Sequence, residues 1–273
     1  MLNVNSFKKM KKANEKIVMI TAYDYPSGKL VEMGKADMIL VGDSLGMVVL
    51  GYENTLEVTI DDIIHHSKAT RRGAKDTFII GDMPFMSYHL SIEETKRNAS
   101  RLIIEGKANA VKIEGGSDSR IAAIKAIVDC EIPVIAHLGL TPQSVNRFGG
   151  FKVQGKTQQR HQEILAEAMR VEAAGAFMLV LEGVPEGLAK EITESVKIPT
   201  IGIGAGRYTD GQVLVYHDLL GHSAYVARFV KTYADLDNTI SHALAKFGEE
   251  VKTGEFPQPE HIYFPLEEKQ NKG

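Results

Sequence analysis

Five short apolar runs in this sequence each end on a side chain that can ionise or bind a metal ion. The runs end at Asp43, Asp82, Glu114, His137 and Glu182. Each run has the length and β-branched content of a buried parallel strand, and amphipathic, helix-like segments separate most of them. Because the carboxyl ends of parallel neighbours lie on one side of a sheet, the pattern predicts that four carboxylates and an imidazole converge. A metal-assisted active site needs that convergence, whereas no structural role obviously does.

The whole sequence contains eight candidate strands. They are predicted at 17–21, 37–42, 77–82, 110–114, 133–137, 177–182, 199–204 and, with the weakest pattern, 212–218. Eight strand–helix units in 273 residues, without a linker-like break, favour an α/β fold with a single (β/α)8 TIM barrel over an open doubly wound sheet. We expect one domain over 1–273, with a short N-terminal helix at about 4–14 and an extended C-terminal tail at about 255–273.

Composition and charge exclude several classes of function. The formal net charge is -3 and the charges are mixed, with no basic stripe that would suggest nucleic acid or an anionic membrane surface. The lysine-rich stretch at 7–16 is better explained as a solvated helix capped by Ser6. The sequence has no long apolar run and no apolar export-signal core, so we expect a cytoplasmic protein without a membrane partner. Cys130, the only cysteine, is expected to be a small buried residue before a strand.

Three of the five strand-end residues suit a magnesium site. Asp43, Asp82 and Glu114 end successive strands, and hard oxygen ligands suit Mg2+, which keeps positions for water and substrate. Zinc is disfavoured because His137 is the only imidazole or thiolate at a strand end. Each acid taken singly could instead cap the following helix. Three carboxylates packed together, however, repel each other unless a cation neutralises them.

Lys112 and His137 have both structural and functional interpretations. Lys112 lies two residues before Glu114 on one strand, so both side chains face the barrel interior. The anionic partner that Lys112 needs is either a neighbouring carboxylate or a substrate carboxylate, and the sequence leaves both open. His137 could be structural or could bind substrate or metal, and its strand-end position favours substrate contact.

Glu182 ends the sixth strand, across the barrel from the three acids. A carboxylate that does not ligate the cation can keep a raised pKa and act as a general base, although a helix-capping role is also credible. After the seventh strand, the glycines at 202–206 either bind phosphate or allow tight packing. They are not a dinucleotide fingerprint, because Arg207 stands where the third glycine belongs.

Five longer motifs resemble those of a known family, the ketopantoate hydroxymethyltransferases. The motifs are VGDSLGMVVLGY, GDMPFMSY, VKIEGG, AHLGLTPQSVNRFGGFKVQGK and IPTIGIGAG with TDGQVLVYHDLLG, and the resemblance runs from about Thr21 to Phe264. The chain departs from the family pattern at 226–228, where a proline and a basic residue are usual, and at 207–209, where many members carry a cysteine. Neither departure touches the strand-end acids.

The resemblance implies a barrel of the phosphoenolpyruvate/pyruvate-binding type, assembled as a homo-oligomer and usually as a decamer. It implies transfer of a one-carbon unit from 5,10-methylenetetrahydrofolate to 3-methyl-2-oxobutanoate through a Mg2+-stabilised enolate. The product would be 2-dehydropantoate, an intermediate of pantothenate and coenzyme A synthesis.

The same resemblance assigns overlapping sets of residues to the metal and the ketoacid. Mg2+, or another divalent ion, would be held by Asp43, Asp82 and Glu114, the last directly or through water. The ketoacid would be held by Asp43, Ser44, Asp82, Lys112 and His137. Glu182 would be the catalytic base.

Two other functions fit parts of the pattern. One is a Mg2+-dependent carbon–carbon lyase or phosphonomutase with the same barrel, acting on oxaloacetate-like acids. Such enzymes typically place a reactive cysteine on a mobile loop, whereas Cys130 precedes a strand at the other end of the barrel. The second is a metabolite-binding protein without catalysis, which would keep the metal site but have no use for Glu182.

Overall fold

Eight parallel strands close into one barrel in a computed structural model, which describes residues 2–223 and 227–264. Each strand pairs with the next in chain order, and β8 closes the barrel on β1. The strands are β1 Ile17–Thr21, β2 Met38–Val41, β3 Phe78–Asp82, β4 Ala110–Glu114, β5 Val134–Gly139, β6 Met178–Glu182, β7 Thr200–Ile203 and β8 Gly211–Leu214. The predicted (β/α)8 barrel is therefore confirmed.

Helices follow most of the strands and cover the outside of the barrel. They are α1 Val4–Lys12, α2 Tyr25–Met33, α3 Leu45–Val48, α4 Ile60–Gly73, α5 Ile92–Ile104, α6 Asp118–Val128, α7 Val145–Phe148, α8 Gln158–Ala173, α9 Glu186–Ser195, α10 Tyr216–Leu220 and α11 Leu236–Thr253. The short helices α3 and α7 lie within the two long connections that follow β2 and β5. These connections stand at the carboxyl ends of their strands, where barrel enzymes carry their active sites.

The eighth strand is shorter than predicted. It ends at Leu214, and the predicted continuation to residue 218 is instead the start of α10. In the parallel register Leu214 pairs with Ile20, so only Thr21 remains on β1 beyond that point. The Thr21 hydroxyl accepts a hydrogen bond from the Tyr216 N–H at 2.9 Å, and the backbone turns helical there. A strand whose neighbour ends cannot continue its ladder of hydrogen bonds.

The first helix closes the amino-terminal end of the barrel. Phe7 and Met10 are buried in the apolar cluster that fills the barrel interior. The ring of Phe7 packs edge-on against Phe78 of β3, with 5.3 Å between ring centroids. The helix is thus amphipathic, with Lys8, Lys9 and Lys12 exposed, while Lys11 is paired with Asp210 at 2.8 Å.

Two local predictions near the amino-terminal end of the barrel were wrong. The cap of α1 is Asn3, whose side chain accepts from the backbone of Asn5 and Ser6, so Ser6 is the third helical residue and not the cap. Cys130 is exposed, because it lies in the turn between α6 and β5 and such turns run over the surface.

The carboxyl-terminal part of the chain contributes no buried side chain to the barrel over α11. Residues 255–264 are irregular apart from a 3-10 turn at Pro259–His261. The remainder of the predicted tail, 265–273, and Val226 lie outside the described residues. Within the described ranges, no helix combines the length and the apolar composition needed to cross a membrane.

The start of α4 allows a test of local stability. The Thr59 hydroxyl accepts from the Asp62 N–H at 3.2 Å, and the Asp62 carboxylate accepts from the Thr59 N–H at 2.9 Å. We expect Thr59→Ala to lower the free energy of unfolding by about 1 kcal/mol and the Tm by about 2–4 °C. Thermal unfolding of this variant and of Thr59→Ser, which keeps the cap, measures the effect. Equal loss in both variants would contradict a capping role.

Candidate active site

The ends of β2 to β6 bring the five predicted residues to one side of the barrel. Asp43 follows β2, while Asp82 and Glu114 end β3 and β4. His137 of β5 pairs in register with Glu114, and Glu182 of β6 pairs with Gly139 two residues beyond His137. The Asp82 Oδ2 atom accepts a hydrogen bond from the Asp43 N–H at 3.1 Å, so the first two acids are in direct contact.

Lys112 lies among the acids and is paired with two of them. Its Nζ atom is 3.0 Å from Asp82 Oδ1 and 3.1 Å from Glu114 Oε1, and the residue is 3% exposed. Burial alone would lower the pKa of Lys112, but Asp82, Glu114 and Asp43 raise it well above its ordinary value. Lys112 is therefore an ammonium group held between carboxylates.

His137 connects Glu114 to Glu182. Its Nδ1 atom is 3.1 Å from Glu114 Oε1, and its Nε2 atom is 3.3 Å from Glu182 Oε2 without the alignment of a hydrogen bond. Burial and Lys112 lower the pKa of His137, but Glu114 and Glu182 raise it to about 9. Burial raises the pKa of Glu114, whereas Lys112 and His137 lower it to about 2. At neutral pH the pair is an imidazolium and a carboxylate.

Within residues 2–223 and 227–264, no cationic side chain forms an ion pair with Asp43. Its Oδ2 atom accepts a hydrogen bond from the Gln143 side-chain amide at 2.8 Å. The Lys112 ammonium forms its ion pairs with Asp82 and Glu114 instead. Burial, followed by the charges of Asp82 and Glu114, raises the pKa of Asp43 well above its ordinary value. Three buried carboxylates thus face one ammonium and one imidazolium, and Glu182 adds a fourth carboxylate beside them. The cluster has a surplus of negative charge.

A divalent cation fits this surplus. Both carboxylate oxygens of Glu114 contact protein groups. Its Oε1 atom is paired with Lys112 and His137, and its Oε2 atom accepts a hydrogen bond from the Gln143 N–H. In the part of the chain that the structure describes, no three His, Cys, Asp or Glu side chains are arranged as a metal cage. Asp82 is engaged by two groups, Lys112 at Oδ1 and the Asp43 N–H at Oδ2, whereas Glu114 is engaged by three, so Asp43 and Asp82 are the two adjacent oxygen donors with fewer partners. That donor set suits Mg2+, which is commonly held by one or two carboxylates while water and substrate complete its shell.

Ser44 lies beside the acids at the start of α3. Its hydroxyl is 2.8 Å from the hydroxyl of Tyr23, which is buried and follows β1. Ser44 makes no capping bond to α3, so Tyr23 is what fixes its position. The motif TAYDY contains nothing that predicts this contact, because Tyr23 reaches Ser44 from another strand.

Tyr88 and Gln143 support the acids and were not predicted. The Gln143 amide donates to Asp43 and to the Met83 carbonyl, the latter at 3.0 Å. The Tyr88 hydroxyl donates to Gln143 Oε1 at 2.6 Å and accepts from the Glu114 N–H at 3.3 Å. Both residues lie in connections that follow strands, and no spacing rule indicates which loop residue folds back over a strand end.

The Tyr88 hydroxyl can be removed with little change in shape. We expect Tyr88→Phe to lower the free energy of unfolding by about 1–3 kcal/mol, because the buried Gln143 carbonyl and Glu114 N–H lose a partner. Chemical denaturation measures the loss. Tyr52→Phe is the matched control, since the half-buried Tyr52 hydroxyl makes no hydrogen bond within residues 2–223 and 227–264. Equal losses in the two variants would contradict the supporting role.

The glycines after β7 are explained by close packing. A Cβ atom at Gly202 would lie 2.7 Å from the Thr209 hydroxyl, and one at Gly204 would lie 2.6 Å from the ring of Phe229. Gly204 and Gly206 also have positive φ angles of 60° and 77°. Of the two interpretations of this segment, packing accounts for the glycines without a ligand.

A cavity of about 420 Å3 opens beside Glu114 and Gln143. It lies between the connections that follow β3, β4 and β5, and its walls include aromatic rings and arginines. His89 lines it, and burial and Arg120 lower the pKa of this imidazole to about 4, so His89 is neutral.

Comparison with known proteins identifies the family. The family model described as ketopantoate hydroxymethyltransferase matches residues 1–259. The chain belongs to this family. It is 57% identical over 263 residues to the 3-methyl-2-oxobutanoate hydroxymethyltransferase of Geobacillus sp. (strain WCH70), covering 96% of this chain and 94% of that protein. It is 56% identical over 260 residues to the enzyme of the same name from Listeria monocytogenes serovar 1/2a, covering 95% and 94%.

Membership of the ketopantoate hydroxymethyltransferase family makes this chain an enzyme, a hydroxymethyltransferase. The resemblance carried by the five sequence motifs is therefore confirmed. The alternatives of a lyase or phosphonomutase and of a non-catalytic binding protein are not supported.

Solved structures share the barrel fold. Phosphoenolpyruvate phosphomutase from Streptomyces platensis subsp. rosaceus superposes with a TM-score of 0.63 at 14% identity, covering 97% of this chain and 93% of that chain. A 2,3-dimethylmalate lyase of the PEP mutase/isocitrate lyase superfamily superposes with a TM-score of 0.60 at 14% identity, covering 92% and 88%. At this identity the likeness concerns the fold alone, and it agrees with the closed (β/α)8 TIM barrel.

Proposed function

We propose that this hydroxymethyltransferase transfers the one-carbon unit of 5,10-methylenetetrahydrofolate to 3-methyl-2-oxobutanoate, giving 2-dehydropantoate for pantothenate and coenzyme A synthesis. The names of its relatives support the acceptor. The observation that carries the proposal is the surplus of buried negative charge at Asp43 and Asp82 beside a separate carboxylate, Glu182. A divalent ion and a base next to a bound ketoacid are what proton removal beside a ketone requires.

The ion in this proposal is Mg2+ or another divalent cation at Asp43 and Asp82. Glu114 contributes through water, because its two oxygens contact three protein groups, Lys112, His137 and Gln143, whereas those of Asp82 contact two. A bound ion supplies positive charge beside the ketone oxygen, where negative charge develops. The protein supplies buried carboxylates held in place by the Gln143 amide and the Lys112 ammonium.

The ketoacid lies against Asp43, Ser44, Asp82, Lys112 and His137 in this proposal. The Lys112 ammonium and the His137 imidazolium provide the positive charge that a substrate carboxylate needs. The Tyr23 hydroxyl orients Ser44 towards the same place. These contacts exclude water from the acceptor and hold its C3 atom in one orientation.

Glu182 is the base in this proposal. Its side chain is 16% exposed, against 1% for Asp82 and 3% for Glu114, so it faces the open side of the site. It takes the C3 proton, and the His137 imidazolium 3.3 Å away holds the carboxylate in position. The C3–H bond breaks and a C3–CH2 bond to the one-carbon unit forms. The two C–N bonds that hold this unit to the folate break, and one water molecule supplies the hydroxyl of the product. The proton from C3 and the second proton of the water end on the two folate nitrogens, so tetrahydrofolate is released.

The assembly in this proposal is a homo-oligomer, with the decamer that the resemblance implies. One face of α11 carries Ile240, Leu244, Phe247 and Val251, which are 42–66% exposed. Their spacing of four, three and four residues places them on one stripe, and a contiguous exposed apolar face marks a protein contact. Light scattering after gel filtration tests this, because a mass of one chain would contradict the assembly.

Incubation of the purified protein with Mg2+, 3-methyl-2-oxobutanoate and 5,10-methylenetetrahydrofolate tests the reaction. We expect mass spectrometry to detect 2-dehydropantoate, and omission of either substrate to abolish it. Pyruvate in place of 3-methyl-2-oxobutanoate tests the acceptor. A folded protein that forms product with neither acceptor would overturn the proposal.

A further inference from the structure

Gln143 connects the loop after β5 to three other strand ends. It lies in the 3-10 turn Pro142–Ser144 and is 5% exposed. Its backbone N–H donates a hydrogen bond to Glu114 Oε2 at 3.1 Å. Its side-chain amide donates to Asp43 Oδ2 at 2.8 Å and to the Met83 carbonyl oxygen at 3.0 Å. One residue thus holds groups that end or follow β2, β3 and β4.

The surroundings of this amide fix its orientation. The Met83 carbonyl and the Asp43 carboxylate can only accept hydrogen bonds, so the NH2 group must face them. The Tyr88 hydroxyl donates to the amide oxygen at 2.6 Å on the other side. If the amide were turned round, its oxygen would face two acceptors. The Oδ2 atom of Asp43 therefore always meets an N–H donor.

The hydrogen bond from Gln143 makes the two oxygens of Asp43 unequal. Oδ2 is engaged, whereas Oδ1 forms no hydrogen bond or ion pair with any residue that the structure describes. Asp82 has no unengaged oxygen, because Oδ1 is 3.0 Å from Lys112 Nζ and Oδ2 accepts from the Asp43 N–H. A cation held by both oxygens of either aspartate would therefore compete with a protein group.

This arrangement suits one class of divalent ion better than another. Mg2+ demands a small octahedral shell and is usually held by one or two carboxylates together with water. Ca2+ takes six to eight oxygens in a flexible shell and often binds both oxygens of one carboxylate. A site that offers carboxylate oxygens singly therefore favours Mg2+.

We propose that Gln143 is a positioning residue that biases the ion site towards Mg2+ and against Ca2+. It acts through Asp43, by engaging Oδ2 and leaving Oδ1 as the oxygen that meets the ion. This inference rests on the proposed function, because it takes the divalent ion of that site as given. The fixed orientation of the buried amide carries it.

The affinities of Gln143→Met for Mg2+ and Ca2+ test this role. Methionine has nearly the length of glutamine but no N–H donor, so it releases Oδ2 of Asp43. Loss of a group that orients a metal ligand typically weakens metal binding by about 10–100-fold, and we expect this for Mg2+. Ca2+ should lose less, because it can take up the released oxygen. The ratio of the Ca2+ Kd to the Mg2+ Kd should therefore fall by about 10-fold, the lower end of that range.

The rise in Tm with the concentration of each ion gives the two Kd values, without a measurement of activity. Tyr88→Phe is one control, because it removes a hydrogen bond from the same cluster but leaves the amide both of its acceptors. Gln162→Met is the other, because it makes the same substitution at an exposed glutamine of α8. Both controls should keep the wild-type ratio. If Gln143→Met does not fold, Gln143→Asn replaces it, because the shorter amide cannot reach Asp43.

A wild-type ratio in a folded Gln143 variant, or an equal fall of the ratio in Tyr88→Phe, would overturn the proposal. The wild-type protein separates this failure from a failure of the proposed function. Wild type that binds neither ion contradicts the proposed function itself. Wild type that binds Mg2+ and catalyses Mg2+-dependent deuterium exchange at C3 of the ketoacid, together with an unaltered ratio in Gln143→Met, contradicts only the role of Gln143.

Discussion

Glu182→Gln is expected to lower the rate of hydroxymethyl transfer by about 10²–10⁴-fold, which is the usual contribution of a positioned general base. Glutamine has the shape of glutamate, and its side-chain carbonyl can still face the His137 imidazolium. An amide, however, cannot take a proton from carbon near neutral pH. Steady-state rates of product formation measure the loss.

The same variant should still bind the ketoacid. None of the residues proposed to hold the ketoacid or the ion is altered, so the Kd of 3-methyl-2-oxobutanoate in the presence of Mg2+ should stay near that of wild type. Glu186→Gln is the matched control, because Glu186 is a surface glutamate on α9 paired with Arg207. A transfer rate in Glu182→Gln equal to that in Glu186→Gln would remove Glu182 from the mechanism.

Asp43→Asn is expected to lower the rate of transfer and to raise the stability of the metal-free protein. It removes one of the two carboxylates that fit a divalent ion, and loss of that ion's charge should cost about 4 kcal/mol in the transition state, or about 10³-fold in rate. Without metal, wild type must keep a proton on a buried Asp43 or hold its charge beside Asp82. Asparagine at position 43 carries neither a titrating proton nor a charge, so it avoids both costs. Its side-chain carbonyl can still accept the hydrogen bond from the Gln143 amide.

In a chelator, Asp43→Asn should therefore be more stable than wild type. We expect the Tm to rise by about 2–4 °C, which corresponds to about 1 kcal/mol in a chain of this size. Mg2+ should raise the Tm of wild type and of Asp129→Asn, whose exposed aspartate lies in the turn after α6, but not that of Asp43→Asn. A metal-free Asp43→Asn protein less stable than wild type would contradict the charge surplus.

The convergence of the acids could be predicted because it follows from the strands alone. Runs such as MILVGD and TFIIGD have the period and composition of buried strands, and parallel neighbours end on the same side. Asp43 and Asp82 therefore meet whatever the connections do. The lengths of the strands were less predictable. The last residue of β8 pairs with the penultimate residue of β1, and the sequence of β8 does not reveal where its neighbour ends.

The partners of Lys112 could not be predicted from sequence. Its alternation with Glu114 fixes the face, but its contact with Asp82 depends on the register between β3 and β4, where Asp82 stands opposite Lys112. Gln143 was missed for a related reason: it reaches Asp43 across 100 residues of chain from a connection after β5. Such contacts are set by the tertiary path of a loop and leave no periodic signal.

Hydrogen–deuterium exchange at C3 of 3-methyl-2-oxobutanoate tests the central claim most directly. The protein is incubated with the ketoacid in D2O, with Mg2+ or with EDTA, and the C3 proton is followed by NMR without folate. We predict exchange that requires Mg2+, stops on addition of EDTA and returns when Mg2+ is restored in excess. No exchange with Mg2+, or exchange that is indifferent to EDTA, would contradict a divalent ion and a base acting together at the barrel mouth.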